Sequence, residues 1–136
     1  MRALTRGCDL GSGRACTKAG IRLLDALADP GVERAPTLAA AARVLTRGCA
    51  LGSGNTCRRL GLEHLAPNGR LGADDARALD ALTTACELGD NPSCWVLVEL
   101  RDGGRGTAAA RARADRAIAR ACAAGARHRV CAEASP

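Results

Sequence analysis

The sequence has almost no aromatic residues. Its 136 residues include no Phe, no Tyr and one Trp, Trp95. The chain therefore lacks the stacking platforms on which proteins hold the bases of single-stranded nucleic acids. The formal net charge is +6, but the Arg residues are scattered along the chain, so we expect no nucleic-acid partner. The core must be built from Leu, Val, Ile and Ala, which bury little area each, and we expect it to need cross-links.

Long apolar segments are also missing. No run of 18 apolar residues occurs, so the sequence predicts no membrane span. The first residues, MRALTRGCDLGSG, lack the apolar segment of a signal peptide. They also start within a repeat. We therefore expect either a piece of a longer chain or an array whose first helix is truncated. As for its assembly, we expect a monomer or a part of that longer chain.

An internal repeat organises the chain. The segment LTRGCDLGSGRACTKAGIRLL at 4–24 returns at 45–65 as LTRGCALGSGNTCRRLGLEHL, with 12 of 21 aligned positions identical. Self-similarity at a fixed period is the signature of repeat architectures. We therefore describe 1–136 as one repeat domain. Its units are a partial repeat 1–11, the repeats 12–52, 53–89 and 90–125, and a partial repeat 126–136.

Apolar residues recur at helical spacing throughout the chain, and no alternating strand pattern occurs. The sequence predicts about seven helices and a truncated last one. Gly-containing turns separate them, including 67–69 and 89–92. Ser12, Thr37, Ser53 and Thr107 are the predicted N-caps, because their hydroxyls can accept hydrogen bonds from free backbone N–H groups. Asp74 and Asp75 place negative charge at a helix start, where the macrodipole favours it.

The eight cysteines fall into four pairs, with seven or eight residues between the members of each pair: Cys8/Cys16, Cys49/Cys57, Cys86/Cys94 and Cys122/Cys131. On one continuous helix the members of a pair would lie about 12 Å apart, whereas a disulfide needs Cα atoms within roughly 7 Å. A turn lies within each pair, so each can link the end of one helix to the start of the next. Reduced structural thiols and a zinc site are the alternatives, although zinc ligands usually have closer spacing. Disulfides would imply an extracytoplasmic protein, periplasmic or secreted.

The junction segments RGCALGSGNTCRRLGLEHL and TACELGDNPSCWVLVELRDG resemble the bacterial cysteine-rich Sel-like repeat proteins, which are related to tetratricopeptide repeats. The resemblance covers essentially the whole chain and is weakest at the last junction, where an extra residue intervenes. It implies an all-α, right-handed α/α solenoid of helix-turn-helix repeats, with a disulfide at each junction. The family's aromatic positions in the first helix are aliphatic or charged in this chain, apart from Trp95.

The resemblance implies a scaffold that binds a protein or peptide on its concave face. By alignment, the first helices of the repeats display Lys18, Arg22, Arg58, Arg59 and Trp95, which are our candidate partner-binding residues. The basic residues would favour an acidic segment or a C-terminal carboxylate. Trp95 has a structural alternative, which is packing between repeats.

Some cysteine-rich members of the family are associated with binding or hydrolysing β-lactams, which gives an alternative function. A serine β-lactamase would require S-x-x-K, and none of Ser12, Ser53, Ser93 and Ser135 has Lys three residues later. We therefore expect no enzymatic activity and no cofactor. A redox-active or thiol-storage role is a third option, although no C-x-x-C motif occurs.

Three further patterns have a structural and a functional interpretation. The GSG segments open helices as phosphate loops do, but without the GK[ST] context we interpret them as turns with caps. Several acidic residues could form a carboxylate pair or lie on a solvated face: Asp74, Asp75, Glu87 and Asp90. Arg113, Arg116 and Arg120 share a helix face, which is either solvated or in contact with an acidic partner.

Overall fold

The computed structural model describes residues 2–65 and 69–133. The helices in these ranges are α1 (Arg2–Asp9), α2 (Gly13–Ala26), α3 (Arg34–Ala50), α4 (Gly54–Glu63), α5 (Asp75–Glu87), α6 (Asn91–Asp102), α7 (Ala108–Ala123) and α8 (Arg129–Glu133). No strand lies in this part of the chain, which confirms the all-α prediction. Pro67 and Asn68 of the predicted turn, and Ser135, are outside the described residues.

The tight connection after α1 is a Schellman ending. The Gly11 N–H donates to the Cys8 carbonyl (3.0 Å) and the Ser12 N–H donates to the Gly7 carbonyl (2.9 Å). Gly11 has a φ of +100°, which residues with a Cβ rarely adopt. The same pair of bonds recurs after α3, α5 and α7. The four tight connections, which we call the junctions, therefore end their helices in the same way.

The residue that completes the Schellman ending also starts the next helix. The Ser12 hydroxyl accepts from the Ala15 N–H (3.1 Å), and the Ser53 hydroxyl accepts from the Thr56 N–H (3.3 Å). At the third junction Asp90 is the N-cap residue, without a side-chain capping bond. The sequence prediction is confirmed for both serines and for Thr107, whose hydroxyl caps α7.

A disulfide closes each junction. The Cα–Cα distances are 4.4 Å for Cys8–Cys16, 4.5 Å for Cys49–Cys57, 4.8 Å for Cys86–Cys94 and 5.3 Å for Cys122–Cys131. In the first three junctions the first cysteine lies in the last turn of one helix and the second lies in the first turn of the next. The predicted pairing is confirmed, and no sulfur is left as a thiol or as a thiolate ligand for zinc.

The start of α3 differs from the sequence prediction. Thr37 was expected at the N-cap, but α3 begins at Arg34 with Glu33 as its N-cap residue. Pro36 is tolerated in the first turn because the backbone N–H that it lacks would have no partner there. The Thr37 hydroxyl donates to the Glu33 carbonyl (2.7 Å) from within the helix.

The core is divided along the chain. Helices that follow each other in sequence pack together up to α7, and α1 also contacts α3, α2 contacts α4, and α5 contacts α7. Two small apolar clusters lie in the first half, around the Cys8–Cys16 disulfide and around Leu24 and Leu45. The largest cluster lies in the second half, around the Cys86–Cys94 disulfide. This distribution is expected of a repeat array, in which each unit packs only on its neighbours.

Two buried glycines let paired helices approach closely. Gly20 of α2 lies against Leu45 of α3, and Gly61 of α4 lies against Leu82 of α5. Both glycines are four residues after the second cysteine of a junction. An added Cβ at either glycine would come within 2.6 Å of the leucine Cγ, a distance that real Cβ atoms do not show. The repeat therefore uses glycine where helix propensity alone would favour alanine.

We expect Gly20→Ala and Gly61→Ala each to lower the free energy of unfolding by about 1–2 kcal/mol. Overpacking costs about 1–3 kcal/mol, and the gain in helix propensity offsets up to about 1 kcal/mol. Urea unfolding followed by circular dichroism measures the change. Gly13→Ala is the control, because its Cβ would meet Ser53 at an ordinary 3.5 Å. Equal effects of all three substitutions would contradict the packing argument.

Candidate binding groove

An open groove lies between the carboxyl-terminal half of α3 and α5. Its volume is about 500 Å³, and α4 contributes Leu60 and His64 to its lining. We call this the α3–α5 groove. Its apolar lining residues are Cys49, Ala50, Leu60, Ala81 and Leu88, and its polar lining residues are Thr46, His64, Arg77, Asp80 and Thr84. Leu88 remains 47% exposed at the edge. The groove therefore offers apolar contact area with a few polar groups.

His64 lines the α3–α5 groove and is held in place by a hydrogen bond to the backbone. The ring is buried, and its Nδ1 lies 3.1 Å from the Gly72 carbonyl. Because a carbonyl can only accept, Nδ1 is the donor of this hydrogen bond. The His64 carbonyl also accepts from the Asp74 N–H (2.9 Å). These two bonds attach the α4–α5 connection to the end of α4.

Comparison with the neighbouring helix pairs explains why a groove forms here. Between α1 and α3, the Arg47 guanidinium fills the corresponding space. Its Nε and Nη2 donate to the Cys8 and Asp9 carbonyls, both at 3.3 Å. Arg43 adds an ion pair with the Asp9 carboxylate at 2.9 Å. Arginine side chains of α3 therefore cover the end of α1.

Arginine also bridges α5 and α7, where a smaller cavity of about 370 Å³ remains beside Glu87 and Arg120. Arg113 donates to the carboxylates of Asp80 (2.6 Å) and Glu87 (2.7 Å) and to the Thr84 hydroxyl (3.1 Å). Arg120 lies 4.0 Å from Glu87. Burial by itself would lower the pKa of Arg113, but the hydrogen bonds that it donates to Glu87 and Asp80 outweigh burial and raise the pKa. The guanidinium therefore stays charged in this contact.

Two sequence positions distinguish the three helix pairs. The pre-cysteine position is the one that lies two residues before the first cysteine of a junction. In the second, third and fourth junctions it holds Arg47, Thr84 and Arg120. The post-cysteine position directly follows the first cysteine, and in the first three junctions it holds Asp9, Ala50 and Glu87. Arg47 thus faces Asp9, Arg120 faces Glu87, and Thr84 faces Ala50. Small residues replace an arginine and its acidic partner at the α3–α5 groove, which is larger than the cavity beside Glu87 and Arg120 (about 500 against 370 Å³).

No protein-family model matches the chain, and no curated protein matches its sequence. One solved structure with the same fold is Helicobacter pylori cysteine rich protein B. The TM-score is 0.52 at 22% sequence identity, over 92% of this chain and 85% of that protein. The chain has a cysteine-rich helical repeat fold. This confirms, at the level of the fold, the resemblance to the Sel-like repeat proteins.

The five candidate partner-binding residues of this repeat fold lie on even-numbered helices. Lys18 and Arg22 are exposed on α2, and neither makes an ion pair in the described part of the chain. Arg58 pairs with Asp90 at 3.5 Å, and Arg59 lies 3.9 Å from Glu63. None of these lines the α3–α5 groove. Their role in partner binding stays a prediction.

Trp95 packs within the repeat fold. Its ring stacks on His128 with centroids 4.3 Å apart and an interplanar angle of 17°. The side chain is half-buried against the largest apolar cluster. This geometry agrees with the structural alternative for Trp95, which is packing between repeats.

Most of the other charged residues singled out in the sequence have partners within the chain. Asp74 caps α5, Asp75 pairs with Arg105, and Asp90 accepts a hydrogen bond from Ser93. Arg113 and Arg120 of α7 contact acidic residues of α5. These acidic residues therefore form ion pairs and caps, and the described residues hold no cluster of three or more His, Cys, Asp or Glu that could bind a metal.

Sequence analysis missed the α3–α5 groove. Its signal was present in the repeat alignment, as the loss of arginine at Thr84 and of an acidic residue at Ala50. That loss has meaning only once α3 and α5 are known to flank the same groove.

Among the described helices, none is both long and apolar enough to cross a membrane.

Proposed function

We propose that the chain is a helical repeat scaffold that binds a segment of another protein in the α3–α5 groove. The main support for this proposal is the size of the groove, about 500 Å³. Binding clefts commonly measure about 300–1,000 Å³ and combine apolar walls with a few polar groups. The lining of this groove has that composition. A solenoid also presents a continuous surface to extended ligands, which supports a scaffold role.

The basic residues of α2 supply a second surface for this scaffold. Lys18 and Arg22 lie one turn apart, and Arg14 precedes them by another turn. All three are exposed and form a stripe on the outer side of the helix. An acidic segment would be attracted to this stripe, and the attraction would weaken with salt.

No observation favours the β-lactam alternative. The Ser12 and Ser53 hydroxyls cap helices, and the Ser93 hydroxyl is buried and donates to Asp90. The residues that line the α3–α5 groove include no serine and no free thiol. We therefore assign the groove to binding.

Four disulfides favour an extracytoplasmic location. Structural disulfides persist in oxidising compartments such as the periplasm or the cell exterior. Free thiols in protein isolated from its native source would contradict this part of the proposal.

Selection of displayed random peptides against the oxidised chain tests the binding proposal. We expect the selected peptides to lose affinity about tenfold or more on Ala50→Trp. Ala50 is exposed and lines the groove, so a tryptophan there would fill the groove without disturbing the core. Ala123→Trp is the matched control, because Ala123 is the exposed post-cysteine residue of α7, away from the groove.

The alternatives give different outcomes in the same experiment. Peptides that ignore Ala50→Trp but are lost on Lys18→Glu/Arg22→Glu would move the site to the stripe on α2. Failure to select any peptide would remove the support for a binding function of the groove. Circular dichroism of each variant establishes that the fold is retained.

A further inference from the structure

We propose that the α3–α5 groove receives an arginine side chain of the bound segment, which caps the last turn of α3. This inference rests on the proposed function and names the chemical group that the groove recognises. The partner would then present an exposed arginine, and its guanidinium would take the place that Arg47 occupies at the end of α1.

The contact of Arg47 with α1 is an internal template for this recognition. Its guanidinium donates to two successive carbonyls, those of Cys8 and Asp9. The corresponding carbonyls of α3 belong to Cys49 and Ala50. No lysine or arginine of the described ranges donates to either carbonyl, whereas Arg47 covers their equivalents.

The Cys49 carbonyl accepts from the Gly52 N–H (3.0 Å). The Cys8 carbonyl accepts from the Gly11 N–H in the same way, so each carbonyl keeps one lone pair for a second donor. At α1 that second donor is Arg47, whereas at α3 the described chain supplies no side-chain N–H or O–H donor.

The electrostatics of the α3–α5 groove favour a cation. The carboxyl end of a helix carries partial negative charge, which a cation near the last turn complements. The Asp80 carboxylate lies on the same groove and is 75% exposed, although Arg113 binds one side of it. The positive charge of Arg77 is directed to Asp74, the N-cap of its own helix, at 3.3 Å. A guanidinium would thus meet carbonyl oxygens and a carboxylate.

The apolar walls fit the rest of an arginine side chain. Leu60, Ala81 and Leu88 line the groove. Long basic side chains lay their aliphatic stems on apolar surface and keep the charged group at a polar site. Arginine suits this arrangement better than lysine, because its planar guanidinium can donate to two carbonyls at once.

The helix pairs on either side both have an arginine at this position. Arg47 and Arg120 occupy the pre-cysteine position on either side of Thr84 in the repeat series. Both approach the end of the preceding odd-numbered helix, through carbonyls for Arg47 and through Glu87 for Arg120. Only the pair α3–α5, of the three in the described chain, lacks its own arginine there. A partner's arginine would complete the series.

Amide NMR of the oxidised, full-length chain tests this inference with N-acetyl-arginine amide as the probe. We expect saturable shifts at Ala50, Leu51, Ala81 and Thr84, with a dissociation constant on the order of 1 mM. N-acetyl-citrulline amide is the matched control, since it has almost the same shape without the charge. We expect the dissociation constant of the citrulline probe to be at least about tenfold higher, because hydrogen bonds from charged donors are stronger.

A substitution in the groove tests the same inference independently. Thr84→Arg places the chain's own arginine at the pre-cysteine position, where it should cap α3 and abolish binding of the probe. Ala119→Arg adds the same charge at an exposed position of α7 and should leave binding unchanged.

Equal binding of citrulline, or the absence of saturable shifts with the arginine probe, would overturn the inference on the unmodified protein alone. Saturable binding of N-acetyl-leucine amide in its place would overturn it too, while leaving the groove as a binding site. The proposed function fails separately, if the selected peptides do not depend on Ala50.

Discussion

Reduction of the four disulfides is expected to unfold this chain. Each disulfide closes a loop of about nine residues, which contributes roughly 2.5 kcal/mol through the entropy of the unfolded state. Four such loops contribute on the order of 10 kcal/mol, as much as the whole net stability of an ordinary small domain. The core, built without Phe or Tyr and divided into small clusters, has little apolar area to compensate.

The individual disulfides should differ in effect. Cys49→Ala/Cys57→Ala opens a junction in the middle of the array, between α3 and α4. We expect this variant to lose about 2–3 kcal/mol of unfolding free energy. Cys122→Ala/Cys131→Ala is the matched control, because it releases only the five-residue helix α8 and the contact of His128 with Trp95. We expect its loss to be smaller.

Urea unfolding with and without a reductant measures both effects. The intact mass of the oxidised protein should lie eight hydrogens below that of the reduced chain, since four disulfides are present. Full helicity after complete reduction would show that the apolar clusters are sufficient by themselves. An equal cost for the central and the terminal pair would show that the position of a disulfide in the array does not matter.

The fold was predictable because its determinants are local. Ser12, Ser53 and the junction glycines are fixed by the turn that they form, and the cysteines follow from where that turn brings the helices together. The start of α3 was mispredicted because proline is accepted in the first turn of a helix as well as before it. Local sequence left both options open.

The groove was not predictable in the same way. It depends on Ala50 and Thr84, two ordinary small residues that belong to different helices and are 34 positions apart. Neither would be singled out by residue type. Their meaning comes from a comparison with Arg47 and its contacts, which requires knowledge of which helices lie side by side.

The repeat thus separates two tasks between different positions. Each junction keeps the cysteine pair and the glycine with positive φ, and these hold consecutive helices together. The pre-cysteine and post-cysteine positions vary, and they determine whether neighbouring odd-numbered helices are joined by the chain's own arginine or leave space for a ligand. In our proposal, the binding site forms where the contact between a pre-cysteine arginine and the preceding odd-numbered helix is missing.

The other large effect is expected at Glu63, at the end of α4. Its side chain is almost fully buried, and both carboxylate oxygens are bound by Arg70. The Arg70 Nη2 donates to Oε2 at 2.8 Å, and its Nε and backbone N–H both donate to Oε1 at 3.0 Å. Burial by itself would raise the pKa of Glu63, but these hydrogen bonds and the charge of Arg70 hold it below its ordinary value of 4.5. The pair closes the α4–α5 connection beside the groove.

We expect Arg70→Ala to lower the free energy of unfolding by about 3 kcal/mol, at the low end for loss of one partner of a buried ion pair, because Arg70 is partly exposed. Arg77→Ala is the control, since its pair with Asp74 is exposed and should contribute less than about 1 kcal/mol. The pKa of Glu63 is depressed in the folded state, so its stabilisation is present above pH 4.5 and is lost as the pH falls through the folded pKa. Urea unfolding at pH 7 and at lower pH should show this acid-dependent loss in the unmodified chain and a weaker one in Arg70→Ala. Identical pH profiles would mean that Arg70 does not stabilise the ionised carboxylate.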